Sequence, residues 1–407
     1  MSEAAAEARQ GRVEFTGSRH ELLGIIVRGY LLMIPTIGLY RFWQVTWKRR
    51  FYWQNTVIDG EPLEYTGTPA QLLVGFFFAL AFFLPIYVGL FTLSMQDTDL
   101  VLLGYLTIGA AIWLSGYAVY RARDFRLART LWRGLRFDQK GNAWAYALRR
   151  FLWSILVVLT LGIAYPWMAS SLWRYRYRHT WYGNRKFDIG GNWKAFAGPY
   201  FGTLVLNVLT IGGTIGWIGS THDFVLVGTT PVPGPIGLLL CLGSIVVFAF
   251  TLAWYRTATA SRMLSTVTIG EAALTVRIGP GALFSQFILY VLGVVGLLIV
   301  LGLTALVAVG AIYAAAASGG KQPDAAAVMA IFQSGALNVA LLIVVYLVIL
   351  GAFGLVAELT LSFGWWSLLA RGATISNPDS LRSVRSGGED RALIGEGLAD
   401  ALNVGAY

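Results

Sequence analysis

The chain has 407 residues, of which 56% are hydrophobic and only 13% charged. Soluble domains carry roughly a quarter of their residues as charges, so this composition excludes a water-soluble body and makes lipid the solvent for much of the exterior. The net charge of +10 would suggest nucleic acid in a soluble protein, but in a membrane protein the positions of the charges along the chain report topology instead.

Residues 1–20 are polar and lack the apolar core of a signal peptide, which predicts a short cytoplasmic tail. An apolar segment follows over Leu22–Phe42, interrupted by Arg28, Pro35 and Gly38. The runs 70–94 and 98–120 are each long enough to cross a bilayer, which takes about 20 helical residues, and they turn at Gln96–Asp99. Arg121 to Arg136 is basic with Leu127, Leu131, Trp132 and Leu135 interspersed, a pattern expected of a helix lying on the membrane surface or docking a partner. A second interrupted apolar segment, Phe151–Trp173, carries Gly162 and Pro166. Four more spanning runs lie near 200–220, 234–255, 284–315 and 335–366, with polar turns at Thr221–Pro235 and Ser318–Gln333. The expected fold class is therefore all-α, a polytopic membrane protein. It has about six transmembrane helices in three hairpins, plus two broken, re-entrant segments on the cytoplasmic side. Its units are the tail 1–20, the broken-helix units 21–199 flanking the hairpin 70–120, a second hairpin with its basic segment in 200–283, a long third hairpin in 284–370, and a C-terminal tail 371–407.

The two broken segments match each other without a gap. Thr36-Ile37-Gly38 corresponds to Thr160-Leu161-Gly162, Trp43 to Trp167, Arg50 to Arg174, Phe51 to Tyr175 and Thr56 to Thr180, the pattern of an internal duplication. Of the 31 Lys and Arg, all but Arg28 and Lys321 fall in the segments 1–20, 41–69, 121–150, 174–198, 256–283 and 371–407. If neither broken segment crosses, all six basic segments face the cytoplasm, as do both termini. If one crosses, the rule is broken locally.

Thr36-Ile37-Gly38-Leu39-Tyr40-Arg41-Phe42-Trp43, Lys48 to Trp53, Asn55-Thr56 and Asp59-Gly60-Glu61-Pro62-Leu63-Glu64-Tyr65-Thr66-Gly67 resemble the YjgN family of bacterial inner-membrane proteins. So do the second copy through Tyr165-Pro166-Trp167 and the ending Gly395 to Leu402, so that the resemblance runs from about Phe15 to the C-terminus. It implies an inner-membrane location and an architecture, but no activity. The chain departs from the family's pattern at Met168 to Leu172, which lacks basic residues after the Pro-Trp.

Catalytic and metal signatures do not emerge. His20, His179 and His222 have no ligand spacing, and Cys241 sits in an apolar run with no base beside it, so neither an enzyme nor a cofactor is expected. Glu358 lies in the last apolar stretch, and the other charge inside an apolar segment, Arg28, is its expected partner. The interrupted backbone at Pro35, Gly38, Gly162 and Pro166 is a candidate anion or substrate site, because exposed N–H groups at helix breaks attract anions. Arg41, Trp43, Lys48, Arg49, Arg50, Trp167, Arg174, Arg176 and Arg178 mix cations with aromatic rings, as contacts to anionic lipid headgroups would require. Gly212, Gly216 and Gly219, with Gly213, suggest close helix packing, a hinge or an oligomer interface. The first functional expectation is a transporter or channel-like protein for an amphiphile or small anion. The alternatives are a non-catalytic adaptor that organises lipids or docks a protein on the cytoplasmic face, and a lipid-acting enzyme.

Overall fold

The computed structural model of the protein describes residues 9–94, 101–227, 230–317 and 336–387. Between the apolar helices it places strands where the sequence suggested polar loops. Thr56–Ile58 (β2) and Glu61–Tyr65 (β3) pair antiparallel across Asp59-Gly60, whose φ values of 50° and 85° make the two-residue turn that suits the twist of a hairpin. The arrangement recurs in Thr130–Trp132 (β4) and Leu135–Gln139 (β5) across Arg133-Gly134. It recurs again in Thr180–Tyr182 (β6) and Arg185–Ile189 (β7), and in Val267–Ile269 (β10) and Ala272–Val276 (β11). A fifth pair comes from the ends of the chain: Gln10–Phe15 (β1) lies against Ala373–Ser376 (β12), with Gln10 opposite Ser376. The five pairs close into one antiparallel barrel of ten strands, in the order β1-β12-β11-β10-β7-β6-β5-β4-β3-β2.

Each strand pair is joined to the next by a pair of helices rising from the end opposite the turns. Arg19–Met33 (α1) and Arg41–Gln54 (α2) bridge β1 to β2, and Pro69–Ser94 (α3) and Val101–Ala128 (α4) bridge β3 to β4. Ala143–Leu159 (α5) and Tyr165–Arg178 (α6) bridge β5 to β6. Lys194–Thr221 (α7) and Pro235–Leu264 (α8), with the small hairpin Phe224–Val227 (β8) and Thr230–Pro233 (β9) between them, bridge β7 to β10. Pro280–Ala317 (α9) leaves β11. The chain returns through Ala336–Ala357 (α10), a π turn at Glu358–Ser362 and Phe363–Arg371 (α11) to β12.

The all-α expectation is therefore corrected by the barrel. Its strands are 3 to 6 residues long, too short to show alternation against the helices around them. Arg121 to Arg136 is not a surface helix: it completes α4, then forms β4, a turn and β5. The tails 1–20 and 371–407 are not wholly loose either, since they supply the strands that close the barrel. Among the described residues four helices are long and apolar enough to cross a bilayer: Lys194–Thr221, Pro235–Leu264, Pro280–Ala311 and Val345–Arg371. Six were expected; of the α3–α4 pair only Pro69–Ala81 reads as a shorter apolar helix. The expected turns Gln96–Asp99 and Ser318–Gln333 lie outside the described residues.

The two interrupted segments are short helical hairpins that leave the barrel and return to it. With 15 and 14 residues, α1 and α2 rise only about 20 Å, well short of a hydrocarbon core of about 30 Å. Their tips are built alike. Gly38 N–H bonds Met33 O at 2.8 Å and Gly162 N–H bonds Val157 O at 2.7 Å. Thr36 Oγ1 donates to Leu32 O at 2.7 Å while accepting from Tyr40 N–H, and Thr160 Oγ1 donates to Leu156 O at 2.8 Å while accepting from Ala164 N–H.

Candidate functional site

Alternation along the short strands decides what the barrel holds. Val13, Ile58, Trp132, Phe137, Tyr182, Phe187, Ile269, Leu274 and Ile375 face inward and surround an apolar cavity of about 270 Å³. Polar atoms on the larger side chains are turned away from it. Tyr182 donates its hydroxyl to Trp132 O at 3.0 Å, and Trp132 donates its indole N–H to Ile58 O at 3.3 Å. Burial pushes the Tyr182 hydroxyl up from its ordinary 10 to about 12. The small residues Ala272, Ala273 and Ala373 leave the space that larger neighbours would fill.

The turn end of the barrel is stopped by the 3-10 helix Pro378–Ser383 and the residues after it. Leu381 reaches the cavity, Val384 is buried beside it, and Asn184 clasps Arg385 by two bonds, its N–H to Arg385 O at 3.0 Å and its Oδ1 from Arg385 N–H at 3.1 Å. Charges on this rim pair in a chain. Asp59 takes Arg9 at 3.1 Å and Arg133 at 2.8 Å, while Asp379 takes Arg9 at 2.9 Å and Arg382 at 3.0 Å.

The helix end is a polar layer with aromatic posts. Trp366 and Trp53 lie with ring centres 5.1 Å apart and donate to Thr56 Oγ1 and Thr130 Oγ1 at 2.9 and 2.8 Å. Arg123 bonds Gln139 Oε1 and Thr180 Oγ1, one pleat above the cavity residues Phe137 and Tyr182. Above Trp366, the π turn carries Glu358, whose carboxylate pairs with Lys48 Nζ at 3.2 Å and accepts from the Tyr52 hydroxyl at 3.3 Å. Only 13% of the Glu358 side chain and 16% of that of Lys48 is exposed. π turns inside helices concentrate at functional positions.

The residues singled out from the sequence are spread over several parts of the fold. Glu358 pairs with Lys48 and not with Arg28, which is exposed on α1. The amides at the breaks are engaged in closing the helix ends: Gly38 and Gly162 bond back to α1 and α5, Pro35 is exposed at the tip, and Pro166 is buried in the first turn of α6. This withdraws the donors an anion at Gly38 and Gly162 would need. Of the headgroup set, Lys48 belongs to the polar layer, Arg49 bonds Tyr65 Oη at 3.0 Å, and Arg50 bonds Gly67 O at 3.3 Å. Trp43 stacks on Tyr40 and Trp167 on Trp193. Arg176 packs over Trp173, Arg174 is half-buried, and Arg41 and Arg178 are exposed. Gly212, Gly213, Gly216 and Gly219 face open space, so they do not make the contact between α7 and α8; Gly202 does, against Trp254. The cavity itself escaped the sequence reading, although Asp59-Gly60 followed by an alternating Glu-Pro-Leu-Glu-Tyr was a hairpin signal.

No curated protein and no solved structure matches the chain. A family model described as bacterial protein of unknown function (DUF898) matches residues 10–293, which takes in every barrel strand except β12. The match covers well over half of the chain and the quoted motifs from Thr36 to Trp167, though not the ending Gly395 to Leu402, and the protein accordingly belongs to this family, the uncharacterised YjgN family of bacteria.

Proposed function

We propose that the protein is a multi-pass bacterial inner-membrane protein that takes the apolar chain of an amphiphile into its barrel. One observation carries this reading: the barrel, on which every helix pair stands, encloses an apolar cavity of about 270 Å³. Ligand pockets for drug-sized molecules run to roughly 300–1,000 Å³, so this one suits a slender chain. A small anion is the weaker cargo, since the lining offers it no charge and the amides at Gly38 and Gly162 are spent on helix ends.

The gathering of all barrel strands, and with them nearly all basic residues, on one side supports a cytoplasmic barrel with cytoplasmic termini. The matching tips of α1–α2 and α5–α6 support their descent from one duplicated unit that enters the membrane without crossing it. Passage of the chain between the bilayer and the barrel is the transport step of this reading, and it needs no catalytic group.

Binding of a fluorescent fatty acid to the protein in nanodiscs tests the proposal. Ala272→Trp or Ala373→Trp fills the cavity and is expected to weaken binding at least tenfold, and Leu274→Phe, a gentler filling, to weaken it less. Unchanged binding in folded variants of all three overturns the reading.

A further inference from the structure

A second recess lies outside the barrel, in the groove between α1 and α2. It has a volume of about 670 Å³ and is lined by Glu21, Arg28, Trp47, Arg50 and Gln54, among others. Arg28 is exposed, Trp47 is 48% exposed, and Arg50 lies over the Trp47 ring with its guanidinium carbon 5.3 Å from the centroid. Two guanidiniums and an indole thus share one open groove on a hairpin whose tip is apolar and bare: Ile37 is 93% exposed, and Leu31 and Ile34 are each 64% exposed.

The distance from that tip fixes what the groove meets. Arg28 lies six residues before Ile34, about 9 Å along the axis of α1, and Arg50 nine residues after Arg41, the first residue of α2, about 14 Å along its axis. With the tip immersed about 10 Å in a leaflet whose hydrocarbon is about 15 Å deep, the groove falls at the level of the headgroups. Arginine takes phosphate by paired, parallel donors, and an indole settles at the same interface. Glu21 and Gln54 add acceptors suited to hydroxyls on a headgroup rather than to a second negative charge.

We infer that this groove is a binding site for the phosphate of an anionic phospholipid with a hydroxyl-bearing headgroup, of the phosphatidylglycerol type. The corresponding places on the second hairpin carry Leu152 for Arg28 and Ser171 for Trp47, so the site belongs to α1–α2 alone. It is independent of the barrel cavity.

A thermal-shift titration of the full chain in neutral detergent tests it, with dioleoylphosphatidylglycerol and dioleoylphosphatidylcholine as probes. The wild type is expected to be stabilised by the glycerol lipid at concentrations where the choline lipid does little. Arg28→Gln with Arg50→Gln should shift the glycerol-lipid midpoint about tenfold higher, Arg28→Lys with Arg50→Lys should recover part of it, and Arg149→Gln with Arg150→Gln on α5, of equal charge change, should leave it in place. Equal response to the two lipids, an unshifted midpoint in the Arg28→Gln with Arg50→Gln variant, or the same shift in Arg149→Gln with Arg150→Gln overturns the site. Displacement by millimolar inorganic phosphate would mark a soluble-anion site and overturn the lipid assignment.

Discussion

Trp366 donates its indole N–H to Thr56 Oγ1 at 2.9 Å, which ties the last apolar stretch of the chain to the first residue of β2. Both residues line the barrel cavity, so the bond sets the position of the aromatic post at its helix end. Thr56→Val keeps the shape and removes the acceptor. An indole N–H left without a partner in a buried place costs about 1–3 kcal/mol. The expected outcome is a lower Tm for the variant in detergent, with Thr130→Val producing a similar fall through Trp53. A Tm equal to that of the wild type would mean that the bond does not hold the post.

Lys48 and Glu358 form the second tie between α2 and the returning helix. Neither side chain is more than 16% exposed, so removing one partner takes the opposite charge from the other in a place largely shut off from water. Glu358→Gln and Lys48→Met should each destabilise the protein, and the double variant should be less destabilised than the sum of the two by at least about 1 kcal/mol. Additive losses in chemical denaturation would show that the two groups do not depend on each other.

How far this fold could be read from the residues depended on the length of each signal. Apolar runs of 20 or more residues gave the long helices, and the placing of Arg and Lys gave the turning back of Leu22–Phe42 and Phe151–Trp173. The barrel was hidden because each strand contributes only two or three inward residues, and its outward ones, such as Glu64, Arg136 and Lys186, read as loop polarity. The Asp59-Gly60 turn was legible as chemistry, yet its four companions differ in residue: Arg133-Gly134, Gly183-Asn184 and Gly270-Glu271 share only a glycine, and the β12–β1 pair has no turn at all. Closure between Gln10 and Ser376 could not be seen, since nothing local links positions so distant in the chain. For the same reason Glu358 was assigned to Arg28, the nearest charge in an apolar setting, when the fold offers it Lys48.

Alkaline stability should depend on Tyr182. Burial favours the protonated hydroxyl and raises its pKa from 10 to about 12. The unfolded chain therefore ionises this group before the folded one does. The stabilisation is fully present below pH 10 and is lost as pH rises through 12. Between those limits the Tm of the wild type should fall more steeply than that of Tyr182→Phe, which has no proton to lose there. Parallel curves for the two proteins would place the alkaline sensitivity in other groups.

The tips of the short hairpins carry a conformational cost that their surroundings must offset. Ile37 and Leu161 both sit at φ 49°, in the left-handed region that β-branched or bulky residues almost never enter, and they are 93% and 92% exposed. Holding such residues there costs about 1–2 kcal/mol each. In water, Gly or Asn would serve the turn better and expose less apolar surface. If the tips enter the membrane as proposed, immersion in hydrocarbon reverses the balance, because a large apolar side chain gains more from lipid than the turn loses. In a Cys241→Ala background, a spin label at Ile37→Cys or Leu161→Cys should be relaxed by oxygen and shielded from a water-soluble nickel reagent, the signature of the acyl region. A membrane-impermeant thiol reagent applied from the periplasm should label neither Glu61→Cys nor Lys194→Cys, both exposed positions. A tip label relaxed by nickel, or labelling of Glu61→Cys or Lys194→Cys from outside, would take the two hairpins out of the cytoplasmic leaflet.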